Sequence, residues 1–244
     1  MIGNPDIISF ESLPSTNAYL KDLRLKGSIK NGTVIMADYQ ESGRGQRGKV
    51  WLSEKGKGLL CSIFYEPYQQ RVEDQFILTK WISVAIVQFL RESLGLTDAC
   101  IKWPNDIYVG RKKLGGILIE NAIQGKYLQN SIIGIGLNVL QDNFEESLPN
   151  PVSLRQLLGG NVDLNRELIL VQIIGSFYNQ VNRKKEFVNK DYLDYLMLRG
   201  IKTSYRILGK SQEATLLGVH SNGSLELLVE GEKKLFLHGE IEFL

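Results

Sequence analysis

The chain has 244 residues, 43% hydrophobic and 23% charged, and its 29 Lys and Arg against 27 Asp and Glu leave a net charge of +2. That length buries a substantial core and fits one domain with a small appendage. A charge this close to balance carries no large electrostatic footprint for duplex nucleic acid, and no apolar run reaches the roughly 18 residues that span a bilayer. The opening MIGNPDIISF lacks the charged-then-apolar layout of a signal peptide. Cys61 and Cys100 sit within apolar runs, as buried thiols of a reducing compartment do. A cytoplasmic protein is expected.

Taken in order, Ile7–Phe10 is a short strand, and Pro14-Ser15-Thr16-Asn17 supplies the cap of a helix over Ala18–Lys26 that Gly27 stops. Thr33–Ala37 and Leu59–Tyr65 are β-rich runs on either side of Asp38–Gly58, a stretch with glycines at 43, 45, 48, 56 and 58 and no apolar period. Gln75–Leu94 is apolar on nearly all sides and reads as a buried helix closed by Gly95, with Trp81 as packing. Ile107–Val109 and Ile117–Ile119 form a hairpin whose second strand opens on Gly115-Gly116, a pair that marks a bulge or close approach by a ligand. Leu128–Leu140 is a strand with Gly134 and Gly136 on one face, leaving room for something to lie there. Gln141–Asn161 is a loop, Leu164–Phe187 a long amphipathic helix capped by Asp163 or Asn165, and Tyr192–Leu198 a short helix. Beyond about Gly200 the texture changes to short strands at 203–208, 213–219, 225–229 and 234–237, a small β-barrel appended to an α+β domain.

A loop as long as Asp38–Gly58 inside a compact domain is functional or disordered. Arg44, Arg47 and Lys49 alternate with glycines that let backbone approach a ligand, and N–H groups with guanidinium forks suit phosphate or carboxylate oxygens. Linkers seldom carry a tryptophan such as Trp51. Lys102-Trp103-Pro104-Asn105-Asp106 sets a cation, an aromatic face, an amide and a carboxylate on one turn, although a plain turn with Trp103 in the core explains it equally well. Lys113 stands beside the glycine pair, whereas Arg111 and Lys112 read as solvated. With two histidines and two distant cysteines a zinc site is poorly supported, and no nucleophile elbow or Walker loop is present. Cations, backbone amides and aromatic surfaces remain. Those suit activation of a carboxylate by a nucleotide, where phosphate charge matters more than proton transfer.

Taken together and in this order, S-T-N at 15–17, GRGQRGKVW at 43–51, KWPNDIYV at 102–109, KLGGILIE at 113–120 and GIGLNV at 134–139 make the chain resemble the biotin–protein ligases over its whole length. Some members carry an N-terminal winged-helix DNA-binding domain; the resemblance here is to the form without it, so no DNA partner is expected. The resemblance implies an α+β catalytic domain over 1–198, with a mixed sheet of the class II synthetase-like, biotin/lipoate ligase type, and an SH3-like barrel over 199–244. It also implies two steps with ATP and Mg²⁺: formation of biotinyl-5′-adenylate, then transfer to a lysine of a biotin carboxyl carrier protein. It is compatible with a homodimer and implies no membrane partner.

Carried over by position, Ser15, Thr16, Asn17, Gln40, Arg44, Gly45, Gln46, Gly115 and Gly116 line the biotin side. Lys113 contacts the acyl carboxylate and forming anhydride, with Arg44 beside it as a second catalytic cation. Arg47, Lys49, Trp51, Asn105, Asp106 and Asn138 fall on the nucleotide side, with Asp106 reaching Mg²⁺ through water. Many members have Arg where this chain has Gln46, and often where it has Lys49, so the loop here is less cationic. Two other readings stand beside this one. A lipoate- or octanoate-handling ligase or transferase shares the catalytic core, and the intact GRGQRG loop argues against it. A non-catalytic binder would use the barrel, which has no basic excess for RNA.

Overall fold

The computed structural model describes residues 6–160 and 162–244. Residues 1–5 of the opening segment, and the Asn161 end of the expected 141–161 loop, lie outside them. A seven-stranded sheet organises the larger part. Its strands are β1 (Ile7–Leu13), β2 (Val34–Gln40), β3 (Gly58–Tyr65), β4 (Ala99–Lys102), β5 (Asp106–Val109), β6 (Lys112–Gln124) and β7 (Tyr127–Asn138). They lie in the order β1-β2-β3-β7-β6-β5-β4, with β1 and β2 parallel and every other pair antiparallel.

The two faces of this sheet are covered differently. On one, α2 (Ile77–Gln88) and α4 (Arg166–Asn182) bury Leu78, Ile82, Ile86, Ile173 and Phe177. Each such side chain contributes roughly 1.5–3 kcal/mol of burial. On the other, α1 (Thr16–Leu25) covers only the β1–β2–β3–β7 end, where Leu13, Leu20, Ile35, Ala37, Phe64 and Ile132 form a second cluster. The β7–β6–β5–β4 end of that face is left for something else.

A second, five-stranded antiparallel sheet follows, from β8 (Lys202–Ile207), β9 (Lys210–Val219), β10 (Leu225–Val229), β11 (Glu232–Phe236) and β12 (Ile241–Phe243), in the order β11-β10-β9-β8-β12. It is the small all-β appendage expected, and its Tyr205, Leu216, Leu227 and Phe236 join the main core cluster.

Several boundaries differ from expectation. The buried helix ends as a π-turn over Phe89–Ser93. The expected 164–187 helix breaks at Arg183, whose backbone is extended (ψ 155°), and α5 (Lys185–Asp194) takes the place of the 192–198 helix. No Gly or Pro marks that corner. It is held by the Arg183–Asp191 ion pair (2.7 Å), and Val188 and Tyr192 turn inward from the new helix. The 141–161 loop contains α3 (Leu154–Leu158), started by a capping box in which Ser153 and Gln156 satisfy each other's backbone donors.

Candidate active site

One row of residues crosses the whole sheet on the face that α1 half covers: Phe10, Ala37, Leu60, Gly136, Gly116, Asp106 and Lys102, each paired with the next. It runs from aromatic through apolar and bare to charged. At its bare centre opens a cavity of ≈ 930 Å³.

The bare floor exists because two strands carry glycine at facing positions. A β-carbon on Gly136 would stand 2.6 Å from the Trp51 ring, and one on Gly116 3.3 Å from Asp106 Oδ1. Gly134, one step along, faces Asn17 Oδ1 at 2.4 Å. The room expected beside the Gly134/Gly136 strand is thus occupied by Asn17 and Trp51. Gly115 has no such place. It points through the sheet toward Leu137 and the Gly136 carbonyl, because alternation along β6 puts it opposite Gly116, and it does not border the cavity.

Lys113 and Gly116 are three apart and in a regular strand would face opposite sides. Between Ile107 and Tyr108 the register slips by one residue, leaving Leu114 as a bulge. The slip brings Lys113 back onto the Gly116 face, as bulges beside sites do. There its Nζ lies 2.8 Å from Asp106 Oδ1 and 5.9 Å from the Trp51 ring centroid. The Lys113 backbone is pinned on its far side: its N–H donates to the Asn150 carbonyl (2.7 Å), and its carbonyl accepts from Val152 N–H (2.9 Å).

The glycine loop arches above. Arg44 and Val50 form an antiparallel bridge, Gly45 N–H donates to the Lys49 carbonyl (2.7 Å) and Trp51 N–H to the Gly43 carbonyl (3.0 Å). A side chain at Gly43 would press within 2.4 Å of the Trp51 carbonyl oxygen. Gly48 takes the left-handed conformation (φ 75°), whereas Gly45 is extended (φ −109°) and is small for the approach of Lys49 instead. Arg44, Gln46 and Lys49 border the cavity. Arg47, also at its edge, donates from its guanidinium to the His238 carbonyl of the second sheet.

The α1 end is a buried polar network. Thr16 N–H donates to Gln40 Oε1 (2.8 Å), Ser62 Oγ lies 2.6 Å from both Thr16 Oγ1 and Asn17 Oδ1, and Asn17 Nδ2 donates to Glu120 Oε2 (2.7 Å). Ser15 caps α1. Sequence reasoning missed Ser62 and Glu120; the one available signal was a hydroxyl inside the otherwise apolar run Leu59–Tyr65, buried throughout. Asn105 and Asn138 border the cavity but have structural duties: Asn105 Nδ2 donates to the Ile117 carbonyl (2.6 Å) and Asn138 Nδ2 to that of Val152 (3.1 Å). Trp103 is core, its indole N–H donating to the Gly223 carbonyl (3.0 Å) and its ring meeting His238 edge-on. The second sheet lends the cavity His238 and Phe243, which nothing local in the sequence announces.

Burial pushes the Cys61 thiol up to about 12 and Cys100 to about 11, so neither offers a thiolate at neutral pH. The His238 pKa is lowered by burial and by the Arg47 charge. Among the described residues no three His, Cys, Asp or Glu cluster as a metal cage, and no helix is long and apolar enough to cross a membrane.

Residues 9–138 match the model of the biotin/lipoate A/B protein ligase family. The chain is 30% identical to the bifunctional ligase/repressor BirA of Escherichia coli over 99% of its own length and 76% of that protein's. The corresponding protein of Bacillus subtilis is 32% identical over 94% of this chain and 72% of its own. A biotin protein ligase from Aquifex aeolicus, solved with biotin and ATP, has the same fold, with a TM-score of 0.79, 24% identity and 97% of each chain covered.

Proposed function

Since the chain belongs to the biotin/lipoate A/B protein ligase family, we propose that it is a biotin–protein ligase that joins biotin to a lysine of a carboxyl carrier domain in the cytoplasm. The observation that carries this reading is the bulge that sets Lys113 on the same bare face as Gly116 and Trp51, at the end of the cavity away from the Thr16–Gln40 network. A bicyclic ligand needs an apolar floor and a few placed polar groups, and both are present. With Gln40 Oε1 taken by Thr16, the Gln40 amide nitrogen is left for the ureido carbonyl. The acid chain then runs along the floor toward Lys113.

In the first step the biotin carboxylate attacks the α-phosphorus of ATP, the bond to the bridging oxygen breaks, and pyrophosphate leaves with its electron pair. Lys113 exchanges Asp106 for the acyl phosphate and offsets charge growing there. Arg44 and Lys49 close from the loop, Trp51 gives the purine a surface, and the covered site keeps water from the anhydride. Asp106 would hold Mg²⁺ together with phosphate oxygens, a donor set that fits an ion taking only one or two carboxylates. When bound, that ion neutralises phosphate charge. In the second step the carrier's lysine amine attacks the acyl carbon, an amide forms and AMP departs. Residues 1–198 supply this chemistry and 199–244 its outer wall.

Labelled biotin, ATP and a purified carrier domain give the test. Label on the carrier and biotin-dependent pyrophosphate release are expected, with lipoate failing to compete. Preferential activation of lipoate would replace the reading with its relative, and no pyrophosphate with either acid would end it.

A further inference from the structure

Lys102 closes the charged end of the row that crosses the sheet, directly opposite Asp106 and lining the cavity. The carboxylates around it are engaged elsewhere: Asp106 with Lys113 at 2.8 Å, and Glu242 with Arg206. Its ammonium is held by two rings instead, 5.2 Å from the Tyr108 centroid and 5.3 Å from that of Phe243. Phe243 comes from the second sheet and is fixed in turn by the buried Tyr205, 5.3 Å away. Ring faces position a cation without neutralising it.

We propose that Lys102 is the cation that receives the β- and γ-phosphates of the nucleotide, and that Phe243 is its positioning residue. The proposal rests on the reading of the cavity as an ATP site and adds a division of labour to it. Lys113 stands over Gly116, where acid and α-phosphate would meet. Lys102 stands two strands further along the same row, about 10 Å by inter-strand spacing, in the direction of the leaving group. The electron pair of the breaking bond goes to the pyrophosphate, so a fixed positive charge at that end lowers the barrier to its departure. A half-buried ammonium costs free energy until an anion meets it: burial lowers its pKa, and Asp106 opposes that shift while Lys113 and Lys49 add to it. A polyanion relieves all of these at once. It also explains why a strand of the second sheet reaches the cavity: the barrel supplies the ring that aims the lysine.

The two half-reactions separate this role from a structural one. Lys102→Met is expected to lower biotin-dependent ATP–pyrophosphate exchange and raise the KM for ATP, each by about tenfold or more, the loss of one charge-assisted contact. It should leave transfer from supplied biotinyl-5′-adenylate to the carrier within about twofold of the parent, since no pyrophosphate is involved. Lys102→Arg should restore most of the exchange, and Phe243→Ala should shift exchange in the same direction by less. Binding of inorganic pyrophosphate, followed by calorimetry without biotin, gives a readout apart from turnover. There the parent should bind about tenfold tighter than Lys102→Met. Such a difference in a parent lacking exchange activity would sink the ligase reading and keep the anion site. Equal pyrophosphate binding by parent and variant, or equal losses in both half-reactions, would overturn the proposal.

Discussion

The Trp51 ring lies where a β-carbon on Gly136 would have to stand, 2.6 Å from its nearest atom, so strand and loop are fitted to each other at one missing side chain. The indole N–H is buried and without a partner among the described residues, so the ring is held by shape rather than by a hydrogen bond. Gly136→Ala therefore pushes the ring off the floor. Overpacking of this kind costs about 1–3 kcal/mol. Because Trp51 sits on a loop, we expect most of that to appear as a tenfold or larger fall in adenylate formation, with a changed tryptophan emission and a nearly unchanged melting temperature. An unshifted emission spectrum with full activity would show that the floor has slack.

Removing the Lys113 ammonium strips the developing anhydride of its nearest fixed charge. Lys113→Ala should fold and lose about 2.7–4 kcal/mol of transition-state stabilisation, by analogy with an oxyanion donor. Pyrophosphate release with biotin and ATP is the measurement, and a near-normal rate would remove Lys113 from the chemistry.

The arch over the site has little holding it. Arg44, Arg47, Gly48, Lys49 and Val50 are exposed, and the loop's backbone bonds at Gly43–Trp51 and Gly45–Lys49 tie it to itself. Ordering each residue costs about 1–2 kcal/mol, so ligand contacts should tip the balance. Trypsin should cut first at Arg44, Arg47 or Lys49 in the free protein, more slowly with biotin and slowest with biotin, ATP and Mg²⁺. Identical rates in all three conditions would mean that the loop is already closed.

Lys80 is a lysine inside the core, 4% exposed, its Nζ donating to Asn189 Oδ1 (3.0 Å) and the Val219 carbonyl (3.3 Å) beside the Phe76 and Tyr192 rings. Burial lowers its pKa to about 8, below the ordinary 10.5. Below pH 8 both folded and unfolded chains carry the proton and the folded state bears the full cost of the buried charge. Between pH 8 and 10.5 only the unfolded chain keeps it, so stability rises with pH across that window. Urea unfolding of the parent and of Lys80→Met at pH 7.5 and 9.5 isolates this group. The parent should gain stability relative to the variant at the higher pH, and parallel curves would mean that Lys80 is neutral or solvated throughout.

The parts of this site that were legible in the sequence are those encoded locally. Glycines at 43, 48 and 136 stand where a side chain or a negative φ is excluded, Gly116 where a side chain would crowd Asp106, and the S-T-N cap begins α1 on schedule. The capping box that starts α3 was equally local, in Ser153 and Gln156, and was passed over because proline and glycine dominate the surrounding loop. What could not be read depends on partners far along the chain. Asn17 and Glu120 are 103 residues apart, Arg47 and His238 are 191 apart, and the corner at Arg183 follows from an ion pair rather than from a breaker. Which of the two glycines, 115 or 116, borders the cavity was not legible for a different reason. The Gly115-Gly116 pair pointed to a bulge or to a ligand without locating either, and the register slip at Leu114, which decides which glycine faces the site, is set by pairing with β5.

Trp103 donates its indole proton to the Gly223 carbonyl, Lys80 finds the Val219 carbonyl, and the side chains of both sheets pack into one cluster. The seam between the sheets is therefore interior. Melting should proceed as one cooperative transition, with no plateau in which the second sheet has come away alone. A chain stopped near residue 200 would take away the acceptor of the Trp103 indole and one of the two Lys80 acceptors, and would wet apolar surface that the shared core now holds. The appendage that looks detachable from its strand pattern is thus part of the folding unit, and a fusion or truncation that disturbs it would be felt first as lost soluble protein rather than as altered catalysis.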